Sequence, residues 1–175
     1  MNEITTVSTD SVDINNDDVN QYLTFILAGE TYGVSILVIK EILEYNEPTV
    51  VPMMPDFIRG VINLRGSVVP VIDLSLRLGK ETTEVAKRTC VVIIEVRHED
   101  ERMEIGVVVD AVNEVLDIAP DLIESAPNFG AKIRTDFIRG MGKVDDKFVV
   151  LLNIDHVLSI EELSMVNDAS SVAST

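Results

Sequence analysis

The chain has 175 residues, 46% of them hydrophobic, enough for one ordinary domain or two very small ones with a buried core. Its net charge of −16 and pI near 4.3 repel phosphate backbones and anionic lipid, so nucleic-acid binding and direct membrane binding are disfavoured. No window nears the roughly 18 apolar residues of a membrane span, the first residues lack the order of a secretory signal, and the single Cys90 makes no internal disulfide, which together read as a cytoplasmic protein.

Residues 1–20 carry five acids and no Lys or Arg, a composition that cannot offset its ordering entropy and predicts a disordered acidic tail. The folded part is expected over 21–165. Leu23–Leu27 and Tyr32–Ile36, on either side of Ala28-Gly29-Glu30, predict a hairpin. Val38–Leu43 fits a helical turn and a strand equally well. Val61–Leu64 and Val68–Leu74 flank Arg65-Gly66 and predict a second hairpin. Residues 80–88, within GKETTEVAKR, are polar and aperiodic and read as a solvated linker. Val91–Val96 and Glu104–Val109 predict a hairpin with a longer, charged loop. Ser159-x-x-Glu162 is a capping box that opens a short helix over Ile160–Met165, and 166–175 reads as a second disordered tail. Short strands punctuated by Gly, Pro, Asn and Asp predict an all-β fold of small barrels, which close the sheet and remove exposed edges.

The chain also repeats itself. DFIRG occurs at Asp56–Gly60 and at Asp136–Gly140, an offset of 80 that continues through Val68–Leu74 and Phe148–Ile154. Tyr32–Glu44 aligns with Ile105–Asp117 at an offset of 73, and Thr24–Ala28 faces Val91–Glu95. Three matches in one order imply an internal duplication, with halves at about 21–79 and 89–158.

Reactive groups are sparse. His98 lies in RHEDERME and His156 in NIDHVLSIEE, and neither belongs to a cluster at metal-ligand spacing. Cys90 opens an apolar run with no identifiable base beside it. No phosphate-binding loop, dinucleotide fingerprint or nucleophile elbow occurs. The chain is therefore expected to be no enzyme and to use no cofactor and no metal.

A duplicated frame supplies its own control: positions alike in both copies build the frame, and positions that differ are candidates for function. Gly33/Gly106, Phe57/Phe137, Ile58/Ile138, Arg59/Arg139 and Gly60/Gly140 fall in the first class. The second hairpin differs, with Asn63-Leu64-Arg65-Gly66 against Lys143-Val144-Asp145-Asp146. An Arg at a turn offers rigid donors suited to a carboxylate or backbone partner, and equally fits a solvated turn residue. Eleven residues separate Glu44 from Asp56, whereas eighteen separate Asp117 from Asp136. The extra length holds Phe129, which suits a contact surface or a cover over the barrel end.

YGVSILVIKEI, PDFIRGVINLRGSVVPVIDL, GVVVDAVNEVLDI and FIRGMGKVDDKFVVLLNIDHVL together resemble the CheW family of chemotaxis coupling proteins over about residues 21–160. The resemblance implies two five-stranded, SH3-like barrels around a shared apolar core, and an adaptor without chemistry of its own. The implied partners are the regulatory domain of a CheA-type histidine kinase and the cytoplasmic tip of methyl-accepting chemoreceptors. The implied place is the cytoplasm, with recruitment to membrane-associated receptor arrays and a monomer when free. By motif, the receptor surface takes Ile39, Glu41 and Ile42 from IKEI, and Asn63, Arg65 and Gly66 from NLRG. The loop before the second FIRG implies kinase contacts at Glu124 and Phe129. An adaptor of a non-flagellar chemosensory pathway and a small-barrel ligand-binding protein are the alternative readings.

Overall fold

A computed structural model describes residues 20–98, 100–125 and 137–157. Phe129, the capping box at Ser159, residues 1–19 of the first expected tail and all of the second lie outside the described residues. In chain order the strands are β1 (Gln21–Leu27), β2 (Glu30–Ser35), β3 (Ile39–Glu44), β4 (Ile58–Leu64), β5 (Ser67–Asp73), β6 (Cys90–His98), β7 (Glu101–Val109), β8 (Ala111–Asp117), β9 (Ile123–Glu124), β10 (Ile138–Val144) and β11 (Lys147–Leu152). Two single-turn helices follow β5 and β11, α1 (Leu74–Arg77) and α2 (Ile154–Val157). The ambiguous stretch after β2 is both of the things its pattern allowed: a 3-10 turn over Ile36–Val38, capped by the Ser35 hydroxyl, runs straight into β3.

The fold is mostly β, as expected, and forms two sheets, one in the order β8-β1-β2-β11-β10-β9 and one in the order β3-β6-β7-β5-β4. These orders do not follow the halves of the repeat. The first hairpin of each half, β1–β2 or β6–β7, inserts into the sheet otherwise built by the other half. The insertions are sealed by parallel pairs, Val150–Leu151 against Tyr32–Gly33 and Val71–Asp73 against Gly106–Val108. Local antiparallel pairing makes each hairpin, and long-range pairs place it: these parallel ones on one side, and antiparallel β1–β8 and β3–β6 on the other.

The exchange explains the burial pattern. In β6 the run Val91-Val92-Ile93-Ile94 is buried on both faces. Val91 and Ile93 fill their own barrel with Val69, Val71 and Val108. Val92 and Ile94 turn the other way, into a core shared by both barrels that also takes Leu23, Phe25, Leu27, Tyr32, Val107 and Leu152. A strand buried on both faces reads as a continuous apolar run rather than an alternation. The second barrel has its own filling of Tyr22, Ile118, Val149 and Leu151.

Two sequence expectations change. Thr24 pairs with Gly33, and Ile93 pairs with Gly106, so Thr24 is the counterpart of Ile93 rather than of Val91. A shift of two keeps every side chain on its face, which is why pattern alone did not expose it. The segment read as a solvated linker is exposed at 81–82 and 84–88, as its composition implies, but it is anchored at Thr83 and bounded by Thr89. Thr83 and Thr89 are buried, and the Asp73 carboxylate, fully buried, accepts from the Thr82 hydroxyl at 2.6 Å and from the Thr83 N–H at 3.2 Å. Ser75 donates to the Glu81 carbonyl at 2.6 Å. The composition is polar because the remaining side chains face water while backbone and threonines anchor inward.

Candidate functional site

The tip of the β4–β5 hairpin is a two-residue turn in which Arg65 (φ +52°) and Gly66 (φ +88°) both take left-handed conformations. That is the primed geometry matching the right-handed twist of paired strands. The Asn63 side-chain oxygen accepts from the Gly66 N–H at 2.9 Å and clamps the turn. From it the Arg65 guanidinium reaches β3 and donates to the Glu41 carboxylate. Glu41 can meet it because β3 carries a register irregularity between Ile39 and Glu41 in its pairing with β6, and such a bulge re-aims the side chain that follows.

Glu41 raises the Arg65 pKa through its hydrogen bond and its charge, and Glu104 adds to the effect. The Arg65 side chain is 69% exposed, so the pair contributes little to stability. It fixes instead where a planar, multi-donor group points. Ile39 packs partly against the shared core, while Ile42, on the same strand, is 44% exposed. Four of the six residues assigned by motif to the receptor surface, Asn63, Arg65, Gly66 and Glu41, therefore form the turn and its partner carboxylate, and Ile39 and exposed Ile42 lie on the same strand as Glu41.

The other barrel has the same turn with opposite charge: Asp145 (φ +50°) and Asp146 (φ +67°) stand where Arg65 and Gly66 do. Glu114, the repeat counterpart of Glu41, uses its backbone to bond the buried Thr24 hydroxyl, donating at 3.1 Å and accepting at 2.7 Å. A shared Glu at these two positions thus does not mean a shared role. Of the two, Glu41 is the one that holds an arginine among the described residues.

Glu124 is exposed in β9, where it pairs with Met141. It belongs to the sheet opposite the Arg65 turn. Cys90 begins β6 half-buried, its thiol donating to the Arg88 carbonyl at 3.3 Å. His156 is exposed on α2.

Two arginines carry more structure than the motifs indicated. Arg59 donates to Asp73 at 3.1 Å and to the Tyr45 hydroxyl at 2.9 Å, and bonds the Thr83 carbonyl as well. Arg139, its repeat partner, is exposed and lies over the Tyr22 ring at 6.0 Å; the position equivalent to Asp73 is Asn153, so the acid is gone. Arg77 is sandwiched between the repeat-related Phe57 and Phe137, at 4.9 and 5.0 Å from the ring centroids. Its Nε donates at 2.7 Å to the carbonyl of Val157, which is its own counterpart at the offset of 80. One cation thus bridges the two halves where they meet. The signal in the sequence was the duplicated Phe, but nothing there said what lay between the two copies.

Among the described residues no helix is long and apolar enough to cross a membrane. A family model described as a CheW-like domain matches residues 21–162. The chain is similar to the chemotaxis protein CheW of Klebsiella aerogenes, 34% identical over 150 residues that cover 86% of this chain and 88% of that one. It is 36% identical to the Bacillus subtilis chemotaxis protein CheW over 140 residues, covering 79% and 86%. Among solved structures it resembles the scaffolding protein TtCheW of Thermoanaerobacter tengcongensis, with a TM-score of 0.74, 31% identity, and coverage of 87% of this chain and 96% of that one. With the same two-sheet fold and a matching domain over nearly all of its folded length, the chain belongs to the CheW-like family of chemotaxis scaffolding proteins.

Proposed function

We propose that this protein is the non-enzymatic adaptor of a chemosensory array, holding the cytoplasmic tip of a methyl-accepting receptor on one face and the regulatory domain of a CheA-type histidine kinase on others. The observation that carries the receptor assignment is the Glu41–Arg65 bracket. It stands in one barrel and is replaced by two acids in the other, on a frame that is otherwise duplicated. Ile39 and Ile42 supply apolar contact beside it, and Asn63 and Gly66 hold the guanidinium's turn, so that a helix tip with a carboxylate or backbone acceptor meets a donor already oriented. Glu124, in β9, and Phe129, which lies outside the described residues, are assigned to the kinase by the family resemblance. The adaptor works in the cytoplasm and is recruited to the membrane by the receptor.

An adaptor passes a signal only if its partners bind it differently in their two states. Two barrels joined by one shared core move as a unit, which suits a part that transmits receptor motion rather than absorbing it. The test is binding of purified receptor-tip and kinase regulatory-domain fragments to wild type and Arg65→Glu. Loss of roughly tenfold or more in receptor affinity, with kinase binding and melting temperature retained, is the expected result. Unchanged receptor affinity overturns the assignment of this face.

A further inference from the structure

The β6–β7 hairpin runs further than its twin, and the extra length brings charge to the Arg65 end of the barrel. In the repeat, the pair Thr24–Gly33 corresponds to Ile93–Gly106, so Leu27–Glu30 corresponds to Val96–Met103. There β1–β2 turns through Ala28 and Gly29, whereas β6–β7 adds two more pairs, Arg97 with Arg102 and His98 with Glu101. The pair one step inside is changed as well, from Ile26 and Thr31 to Glu95 and Glu104. Glu95 meets both of the added arginines, Arg97 at 3.7 Å and Arg102 at 3.8 Å. Because β7 runs parallel to β5, its opening residues stand at the same end as the turn that opens β5. Glu104 accordingly acts on the charge of Arg65, which Glu41 already holds.

Three arginines thus share one end of this barrel, and it is the cations that face outward. The side chains of Arg65, Arg97 and Arg102 are 69%, 63% and 65% exposed, against 26% for Glu41 and 18% for Glu95. Glu101 alternates to the opposite face of β7 from Arg102. Beside the arginines the sheet opens. Pairing of β5 with β7 begins only at Val71 and Gly106, and Pro70 has no N–H with which to carry the ladder further. The strands part there around a cleft of about 300 Å³ lined by Val68, Val69, Pro70, Arg102, Met103 and Glu104. On a chain of net charge −16, an end that offers guanidinium groups around an apolar cleft is complementary to carboxylates flanking an apolar side chain. Building on the adaptor reading, we infer that Arg97 and Arg102 extend the receptor face from the Glu41–Arg65 bracket onto the β6–β7 hairpin, where they select receptor tips that carry acidic side chains next to an apolar one. Anchorage on Glu95 suits the role, because a guanidinium already held in place loses less freedom when it docks. The two arginines stand where the other half has only a turn, so they are free to set specificity without altering the frame.

The experiment is calorimetric titration of the full-length protein with a purified chemoreceptor cytoplasmic-tip fragment, at low and at physiological salt. It compares wild type, Arg97→Gln/Arg102→Gln, Arg65→Glu, and Lys143→Gln/Lys147→Gln, which removes the same charge from exposed positions on a hairpin of the other barrel. Gln keeps a polar side chain at exposed strand positions, so the arginine double variant keeps its melting temperature and its affinity for the kinase regulatory domain. Its receptor affinity is expected to fall roughly tenfold, with a shallower salt dependence, while the lysine double variant stays within about twofold of wild type. Arginine-variant binding within about twofold of wild type, with Arg65→Glu weakened, overturns the inference and leaves the adaptor reading intact. Absence of binding by wild type, or unchanged binding in both Arg65→Glu and the arginine double variant, overturns both. An equal loss in the lysine double variant overturns the inference, by assigning the effect to net charge. Co-sedimentation of wild type, but not of the arginine double variant, with phosphatidylglycerol vesicles also overturns it, by assigning the arginines to lipid.

Discussion

Replacing Asp73 by Ala removes the centre of the largest buried polar network described. The carboxylate accepts from Arg59 Nε at 3.1 Å, the Thr82 hydroxyl at 2.6 Å, the Thr83 N–H at 3.2 Å and, as the cap of α1, the Leu76 N–H at 3.2 Å. Removing one partner of a buried ion pair costs about 3–5 kcal/mol, because the other charge is left without compensation. Arg59 keeps 17% of its side chain exposed and can hydrate in part, which puts the charge loss at the lower end. Loss of the cap adds about 1 kcal/mol. A total of about 4 kcal/mol corresponds to a fall in Tm of roughly 12 °C for a domain of this size. Urea unfolding followed by circular dichroism measures the loss, and hydrogen exchange at Thr82 and Thr83 reports whether the connector detaches with it. Asp73→Asn is expected to be milder, since its remaining oxygen still caps α1. The single variants Asp73→Ala and Arg59→Ala with their double combination isolate the coupling. A loss below about 1 kcal/mol in Asp73→Ala, or additive effects in the cycle, would refute the network as the anchor of the connector.

Arg77→Met keeps an apolar stem between Phe57 and Phe137 but removes two cation–π contacts and the bond to Val157; the expected destabilisation is about 2 kcal/mol by urea unfolding, and a neutral result would deny the bridge. Burial, the charge of Glu30 and a 3.1 Å hydrogen bond to Glu30 hold the Tyr32 pKa well above its ordinary value. The unfolded phenol ionises near pH 10 while the folded one keeps its proton, so the contribution of this group is complete below about pH 10 and is lost as pH rises beyond it. Urea midpoints at pH 9 and 11 should therefore diverge more in wild type than in Tyr32→Phe.

The hairpins were legible because each has local causes: two extended apolar runs and a turn able to take left-handed geometry. Arg65 stood out through its difference from Asp145, and its tether to Glu41 then explained why one glutamate of an identical pair is special. The exchange of hairpins was not legible. Both halves carry the same kind of hairpin, and no local property of β1–β2 or β6–β7 says which sheet it completes; that is settled by pairs between residues far apart in the chain, parallel as Val71 with Gly106 and antiparallel as Phe25 with Val112. The connector misled for a related reason, since Asp73, which anchors it, lies in the preceding strand and looks like an ordinary strand-end acid. Phe129 lies outside the described residues, and its role rests on the family resemblance.

The exchanged hairpins bear on how such a protein came to exist and how it can be altered. Neither half can be a folding unit, because each would lack the two strands at the centre of its own sheet and would expose the face meant for the shared core. Two identical copies of a half, however, could complete one another by lending hairpins, as in a domain-swapped homodimer. A tandem fusion of that dimer yields the present topology without moving a strand, with the connector as the seam. Once fused, the copies were free to diverge, one keeping a basic turn and the other an acidic one. Recombination at the seam would therefore move half of each barrel, so specificity is better transferred by grafting a hairpin or loop than by exchanging halves.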